Sequence, residues 1–129
     1  MIMLDTSVLI ACFTADLRRL PELRAHIARG EPLTIASLVL YEWWRGPRRE
    51  RELTLQEELL PASRAVLFGI EEAQLSAELY HGLRRARGRE MDLAIAACAI
   101  THEARFWTLN HRDFRDIPGL KLLPHNRAI

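Results

Sequence analysis

Four acidic residues, Asp5, Glu42, Asp92 and Asp113, occupy positions where a carboxylate needs a partner. Glu42 is the plainest case. In "SLVLYEWWRG", residues 37–46, six of the ten residues are large and apolar. A lone carboxylate in such surroundings raises its pKa or acquires a counter-charge, because an unpaired buried charge costs on the order of several kcal/mol. Two carboxylates about 4 Å apart repel by roughly 1 kcal/mol in water and about 4 at an effective dielectric of 20. An all-oxygen set therefore calls for a hard cation, Mg²⁺ or Mn²⁺, with no sulfur or imidazole ligand required. One or two such ions can activate a water, clamp a non-bridging oxygen and stabilise a leaving alkoxide, which is phosphodiester chemistry.

Each acid also has a plain structural use. Glu42 could face solvent while Leu38, Tyr41 and Trp44 pack inward. Asp5 could cap the helix that follows it. Asp92 falls in a first helical turn, where the macrodipole favours an acid by roughly 0.3–1 kcal/mol. Asn110 and Asp113 could form a local cap. Capping does not, however, require all four acids to gather at one edge of one sheet.

The elements that must position them follow from apolar patterning. "MIML" reads as a buried strand, with Thr6 or Ser7 capping a helix through "VLIACF". "ADLRRLPELRAHIARG" is amphipathic, with Pro21 near a break or a new start and Gly30 as terminator. "EPLTIA" predicts a second strand, and Ser37 an N-cap for the helix bearing Glu42. "RELTLQEELLP" predicts a helix ending at Pro61, and "RAVLFG" a third strand. "IEEAQLSAELYHGLRRARG" reads as one long helix and "REMDLAIAACAITHEA" as the next. "RFWTL" predicts a fourth strand, "HRDFRDI" a helical turn and "GLKLLP" a last strand. Strands alternating with helices, with little period-2 alternation, imply an α/β fold whose parallel sheet is covered on both faces. Ligands of such sheets bind outside the carboxyl ends of the strands. All four acids fall just past a strand end or at the start of an inner helix.

The 129 residues fit one domain, 1–129, with a sizeable core. No apolar segment is long enough to span a bilayer. The N-terminus has no basic residue before its apolar run and carries Asp5 inside it, which argues against a signal peptide and leaves a cytoplasmic location as the expectation. Cys12 and Cys98 read as reduced core residues. Net charge is only +1, and the rest of the chain carries +5 once the four acids are set aside. Of 18 basic residues, 17 are arginines, the better side chain for two-pronged phosphate contact. Genomic base composition also enriches arginine. Arg45, Arg48, Arg49 and Arg51 form one group and Arg84, Arg85, Arg87 and Arg89 another. Each could hold RNA backbone or simply be a solvated helix end.

"MLDTSVLI", the Ser37–Glu42 pair, "MDLAIAACA" and "TLNHRDF" followed by "PGLKLL" together resemble the PIN domain, and within it the VapC-type toxin ribonucleases of toxin–antitoxin pairs. The resemblance runs nearly end to end and all four acidic positions are filled. It implies a three-layer α/β/α domain with a central parallel sheet of four to five short strands. It further implies a Mg²⁺- or Mn²⁺-dependent endoribonuclease that hydrolyses RNA phosphodiester bonds with metal-activated water. Carried over by position, Asp5, Glu42, Asp92 and Asp113 would be the catalytic metal ligands. Thr6, Ser37 and Asn110 would support them through hydrogen bonds. Arg45, Arg48, Arg49, Arg87 and Arg89 would contact RNA. The expected partners are the RNA substrate, a small cognate antitoxin and a second copy in a homodimer, with no membrane.

Other readings carry less. Cys98 and His102 have a zinc-compatible spacing but no second pair. His81, His111 and His125 offer no nucleophile–base–orienter set. Trp43, Trp44 and Trp107 could stack on bases or fill a core or an interface. A phosphate-accepting signalling domain would need its acids at the first strand and an acceptor after a middle strand, and nothing here matches. An inactive PIN-like module that only binds RNA or protein is the main alternative, and the complete acidic set argues against it.

Overall fold

The structure is a computed structural model, and it describes residues 1–124. The first strand, β1 (Ile2–Leu4), consists of three apolar residues, each wholly excluded from solvent. Successive strand side chains point to opposite faces, so a run buried at every position needs cover above and below. That cover makes the fold three-layered. β1 lies inside a parallel four-stranded sheet ordered β2 (Leu33–Thr34), β1, β3 (Arg105–Trp107), β4 (Lys121–Leu122). In register, Ile2 lies opposite Leu33 on one side and Arg105 on the other, and Leu4 is opposite Trp107.

Among the described residues, seven helices flank the sheet: α1 (Thr6–Phe13), α2 (Leu20–Ala28), α3 (Ser37–Arg45), α4 (Glu50–Leu59), α5 (Ile70–Gly82), α6 (Glu90–Thr101) and the single turn α7 (His111–Phe114). Pro21 opens α2, where its missing N–H costs nothing. Helix α6 buries Leu93, Ile95, Ala96, Ala97, Cys98 and Ala99, so it is an inner helix. Helices α5 and α6 are tied by the buried Glu72, which accepts from the Gly69 N–H (2.9 Å) and the Thr101 hydroxyl (2.7 Å). Both cysteines are buried and free. None of the described helices is long and apolar enough to cross a membrane.

Three expectations are corrected. The segment "RAVLFG" makes one parallel bridge, Ala36 to Val66, in place of a strand. Only Val66 pairs there, while Leu67 and Ile70 are 75% and 89% exposed. The helix from Ile70 stops at Gly82, with Leu83 already extended, so "LRRARG" is not helical. Continuing it would have set Arg84 against Arg87 and Arg85 against Arg89 at the spacings where like charges repel. Finally, Asp5 occupies the N-cap of α1, and Ala36, not Ser37, that of α3. His125 lies outside the described residues.

Candidate active site

The carboxyl ends of the parallel strands gather the acids. Asp5 follows β1 directly, and its backbone N–H donates to the Trp107 carbonyl at 2.8 Å, the last bond between the two central strands. Its side chain accepts three hydrogen bonds: from the Thr6 N–H (2.9 Å), the Ser7 hydroxyl (3.0 Å) and the Thr108 hydroxyl (2.7 Å). These donors favour the ionised form, yet burial outweighs them. The carboxyl is only 5% exposed and its pKa is raised, with Glu42 adding to the effect.

Helix α3 aims Glu42 from the flank. Val39, Leu40 and Trp43 form its buried stripe. Tyr41 and Trp44, three apart and 54% and 52% exposed, share the outer face, so neither packs inward as expected. Glu42 lies between the two faces. The Thr6 hydroxyl donates to its Oε1 at 2.6 Å, and an Arg45 Nη2 stands 3.9 Å from Oε2. Asp92 is the third residue of α6, and its pKa is pushed up to about 6. Burial is the main cause, followed by the charges of Asp5, Asp113 and Glu42, while Arg89 pulls the other way.

Asp5, Glu42 and Asp92 line one open cleft of about 560 Å³, with Thr6, Ser7, Ile10, Arg45, Gly46, Arg48 and Asn110. A larger hollow, about 640 Å³, lies beside α4 with Phe13, Leu17 and Leu55 on its wall, but it holds none of the four acids, so size alone does not mark the site. Asp113 is exposed on α7 outside the cleft wall, and its charge still reaches Asp92.

The supporting hydroxyls differ from expectation. Thr6 does hold Glu42. Ser37 makes no side-chain hydrogen bond to the acids; its N–H donates to the Val66 carbonyl (2.8 Å). Asn110 lines the cleft and acts only through its N–H, which donates to the Thr108 hydroxyl at 3.0 Å. Of the two side chains that bind Asp5, Ser7 was expected only as a possible helix cap and Thr108 was not singled out from the sequence. Their signal is a hydroxyl just past the carboxyl end of each of the paired strands β1 and β3, in "DTS" and "WTL".

The five arginines also separate. Arg45 and Arg48 line the cleft, whereas Arg49 and Arg87 are exposed away from it. Arg89 is committed within the protein, with its two amino groups on Asp116 (2.6 and 2.9 Å) and one of them also on the Asp113 carbonyl (2.8 Å). It thereby pins the turn that carries Asp113, and is not free to take RNA.

The PIN domain family model matches residues 2–120. This chain belongs to the PIN domain family. Ribonuclease VapC of Rickettsia bellii is 38% identical over 78 residues, 59% of this chain and 58% of that protein. Ribonuclease VapC1 of Rickettsia felis is 44% identical over 59 residues, 43% of each. The aligned part of this PIN domain thus spans about half the length of these curated relatives. Among solved structures, VapBC2 of Rickettsia felis bound to a DNA fragment from its promoter aligns with a TM-score of 0.72 at 25% identity, covering 98% of this chain and 100% of that one. DNA-bound VapBC of Salmonella typhimurium aligns at 0.71, with 24% identity and coverage of 95% and 96%, a likeness of fold.

The donors of this PIN domain's cleft are chemically those of a hard-cation site: oxygen only, and mutually repulsive. Among the described residues no three His, Cys, Asp or Glu side chains already close into a metal-holding group. The fit therefore rests on donor chemistry and on the raised pKa of Asp5 and Asp92, which a cation would relieve.

Proposed function

We propose that this PIN domain is a divalent-cation-dependent endoribonuclease and the toxin of a toxin–antitoxin pair. The observation that carries the proposal is the cleft at the carboxyl edge of the sheet, which brings Asp5, Glu42 and Asp92 together and where burial first, and the neighbouring carboxylates second, push the Asp92 pKa up to about 6. The relatives named Ribonuclease VapC and the VapBC complexes of like fold support the same reading.

Hydrolysis adds one water across a P–O bond: the water oxygen joins phosphorus, and the leaving oxygen departs with a proton. Bound Mg²⁺ or Mn²⁺ would supply Lewis acidity for both events. Asp5, Glu42 and Asp92 would hold the ion. Asp113 would add charge at the rim, placed there by Arg89. Thr6, Ser7 and Thr108 fix the carboxylates in orientation, so little reorganisation is left for the reaction itself. The partners we infer are RNA, a small antitoxin that silences the cleft, and a second copy of the chain, in the cytoplasm.

The test is cleavage of a mixed RNA pool by purified protein in Mn²⁺ or Mg²⁺, compared with chelator and with Asp5→Asn. Metal-dependent cutting that disappears in the variant supports the proposal. No cutting by protein shown free of any co-purified antitoxin moves the chain to the RNA- or protein-binding reading.

A further inference from the structure

We infer that Arg48 is the phosphate-gripping residue of the cleft, seated on Trp43 and given room by Gly46; the inference rests on the nuclease reading above. The guanidinium carbon of Arg48 lies 4.1 Å from the centre of the Trp43 ring, and its Nε donates to the Trp43 carbonyl at 2.8 Å. Trp43 is itself wholly buried, so the seat is rigid. The two terminal amino groups of Arg48 make no hydrogen bond or ion pair with any described residue. An arginine with one face and one N–H fixed, and a pair of N–H-bearing groups left over, presents the planar fork that matches two phosphate oxygens.

Gly46 makes this pose possible. A Cβ at position 46 would stand 2.6 Å from Nη2 and 2.8 Å from Cζ of Arg48. Any side chain there would displace the guanidinium from its seat. The backbone of Gly46 has φ −76, which any residue can adopt, so the requirement is for space and not for conformation.

The neighbouring arginine is placed differently. Arg45 is 58% exposed, 3.9 Å from Glu42 and 5.2 Å from the Tyr41 ring centre, so its charge is partly spent on Glu42. A phosphate approaching three carboxylates needs a compensating charge that does not collapse onto those acids. Arg48, whose acidic neighbour is Glu52 and not one of the cleft acids, meets that need because Trp43 holds it back on the wall. Ordering it before RNA arrives also removes an entropic cost that a mobile arginine would incur on binding.

The experiment follows a fluorescein-labelled, mixed-sequence 12-nucleotide single-stranded RNA by anisotropy in Ca²⁺ across a KCl series, and its cleavage in Mn²⁺. Arg48→Ala, Arg48→Lys and Gly46→Ala are compared with Arg51→Ala, an equal charge change on an exposed face of α4. Arg48→Ala is expected to weaken binding about tenfold, the loss of one charge-assisted contact, and to flatten the slope of log affinity against log salt by about 0.7. Gly46→Ala should reproduce that change although its arginine remains, and Arg48→Lys should recover only part of the affinity. Circular dichroism melts confirm that each variant is folded. Equal affinity and slope for Arg48→Ala and Arg51→Ala overturn this inference alone. Wild-type protein that binds but never cuts removes the nuclease reading while the binding arm still judges Arg48. Protein that neither binds nor cuts removes both.

Discussion

Replacing Asp92 by Asn should stabilise the metal-free protein at neutral pH while abolishing its cleavage of RNA. The Asp92 carboxyl is pushed from an ordinary 3.8 to about 6, first by burial and then by Asp5, Asp113 and Glu42, against the pull of Arg89. A carboxyl with a higher pKa in the folded state takes up a proton on folding. Its stabilising contribution is complete below about pH 3.8 and is lost as pH rises through about 6. At pH 7.5 the folded protein therefore carries the full cost of a buried charge and of its repulsion by the neighbouring acids. A shift of this size corresponds to about 3 kcal/mol for a fully shielded group. Asp92 is only partly buried, and solvent screening reduces this to roughly 1–2 kcal/mol. Losing an acid from the first turn of α6 works the other way, by about 0.3–1 kcal/mol. The net gain is about 1 kcal/mol, or roughly 3–5 °C in Tm for a domain of this length. Thermal unfolding in chelator, followed by circular dichroism at pH 7.5 and pH 5, reads this directly. The gap between variant and wild type should narrow by about half at pH 5, where the wild type is largely protonated. A variant that melts lower than wild type at pH 7.5, or a gap indifferent to pH, would refute the idea that burial and the neighbouring acids disfavour the charged form of Asp92.

Thr108→Val keeps the shape of the side chain but removes the 2.7 Å donor to Asp5 and the acceptor for the Asn110 N–H. It should cost about 1.5–3 kcal/mol in urea unfolding, since the bond serves a buried, charged group. Arg89→Ala should slow cleavage at saturating Mn²⁺, and Asp116→Asn should slow it in the same direction, because each loosens the turn bearing Asp113; unequal signs in a single-turnover assay would dissociate the pair from the site. Glu42→Gln should weaken Mn²⁺ binding, read by titration calorimetry, and cleavage together. If it changed neither, Glu42 would be only the partner of Thr6 and Arg45.

Much of the framework was legible because its signals are local. Apolar runs broken by Gly and Pro mark β1, β2, β3, β4 and six of the helices, and the parallel-sheet rule predicts the acids at one edge, where Asp5, Glu42 and Asp92 share a cleft. What was not legible depends on direction. An apolar run does not say which way it faces, so "RAVLFG" read as a buried strand although Leu67 and Phe68 are exposed. Tyr41 looked like packing for the same reason, and only the 3.6-residue phase of Val39, Leu40 and Trp43 turns it outward. The hydroxyls on Asp5 come from Ser7 and Thr108, and 101 residues separate them in the chain. Their pairing exists only in space. Arg89 belonged by composition to a basic cluster; its bond to Asp116, 27 positions away, makes it structural.

The position of β1 inside the sheet has a consequence for the order of synthesis. Its partner β3 begins at Arg105, so the strand that leads into Asp5 can acquire its second neighbour only after residues 105–107 have been made. Thr108, which completes the hydrogen bonding of Asp5, follows three residues later. Partial chains on the ribosome cannot assemble the cleft. On the nuclease reading proposed above, a growing polypeptide would lack its working cleft until residue 108 has emerged. If the nuclease reading holds, chains stalled or trimmed before residue 105 should therefore not cut RNA however long they persist.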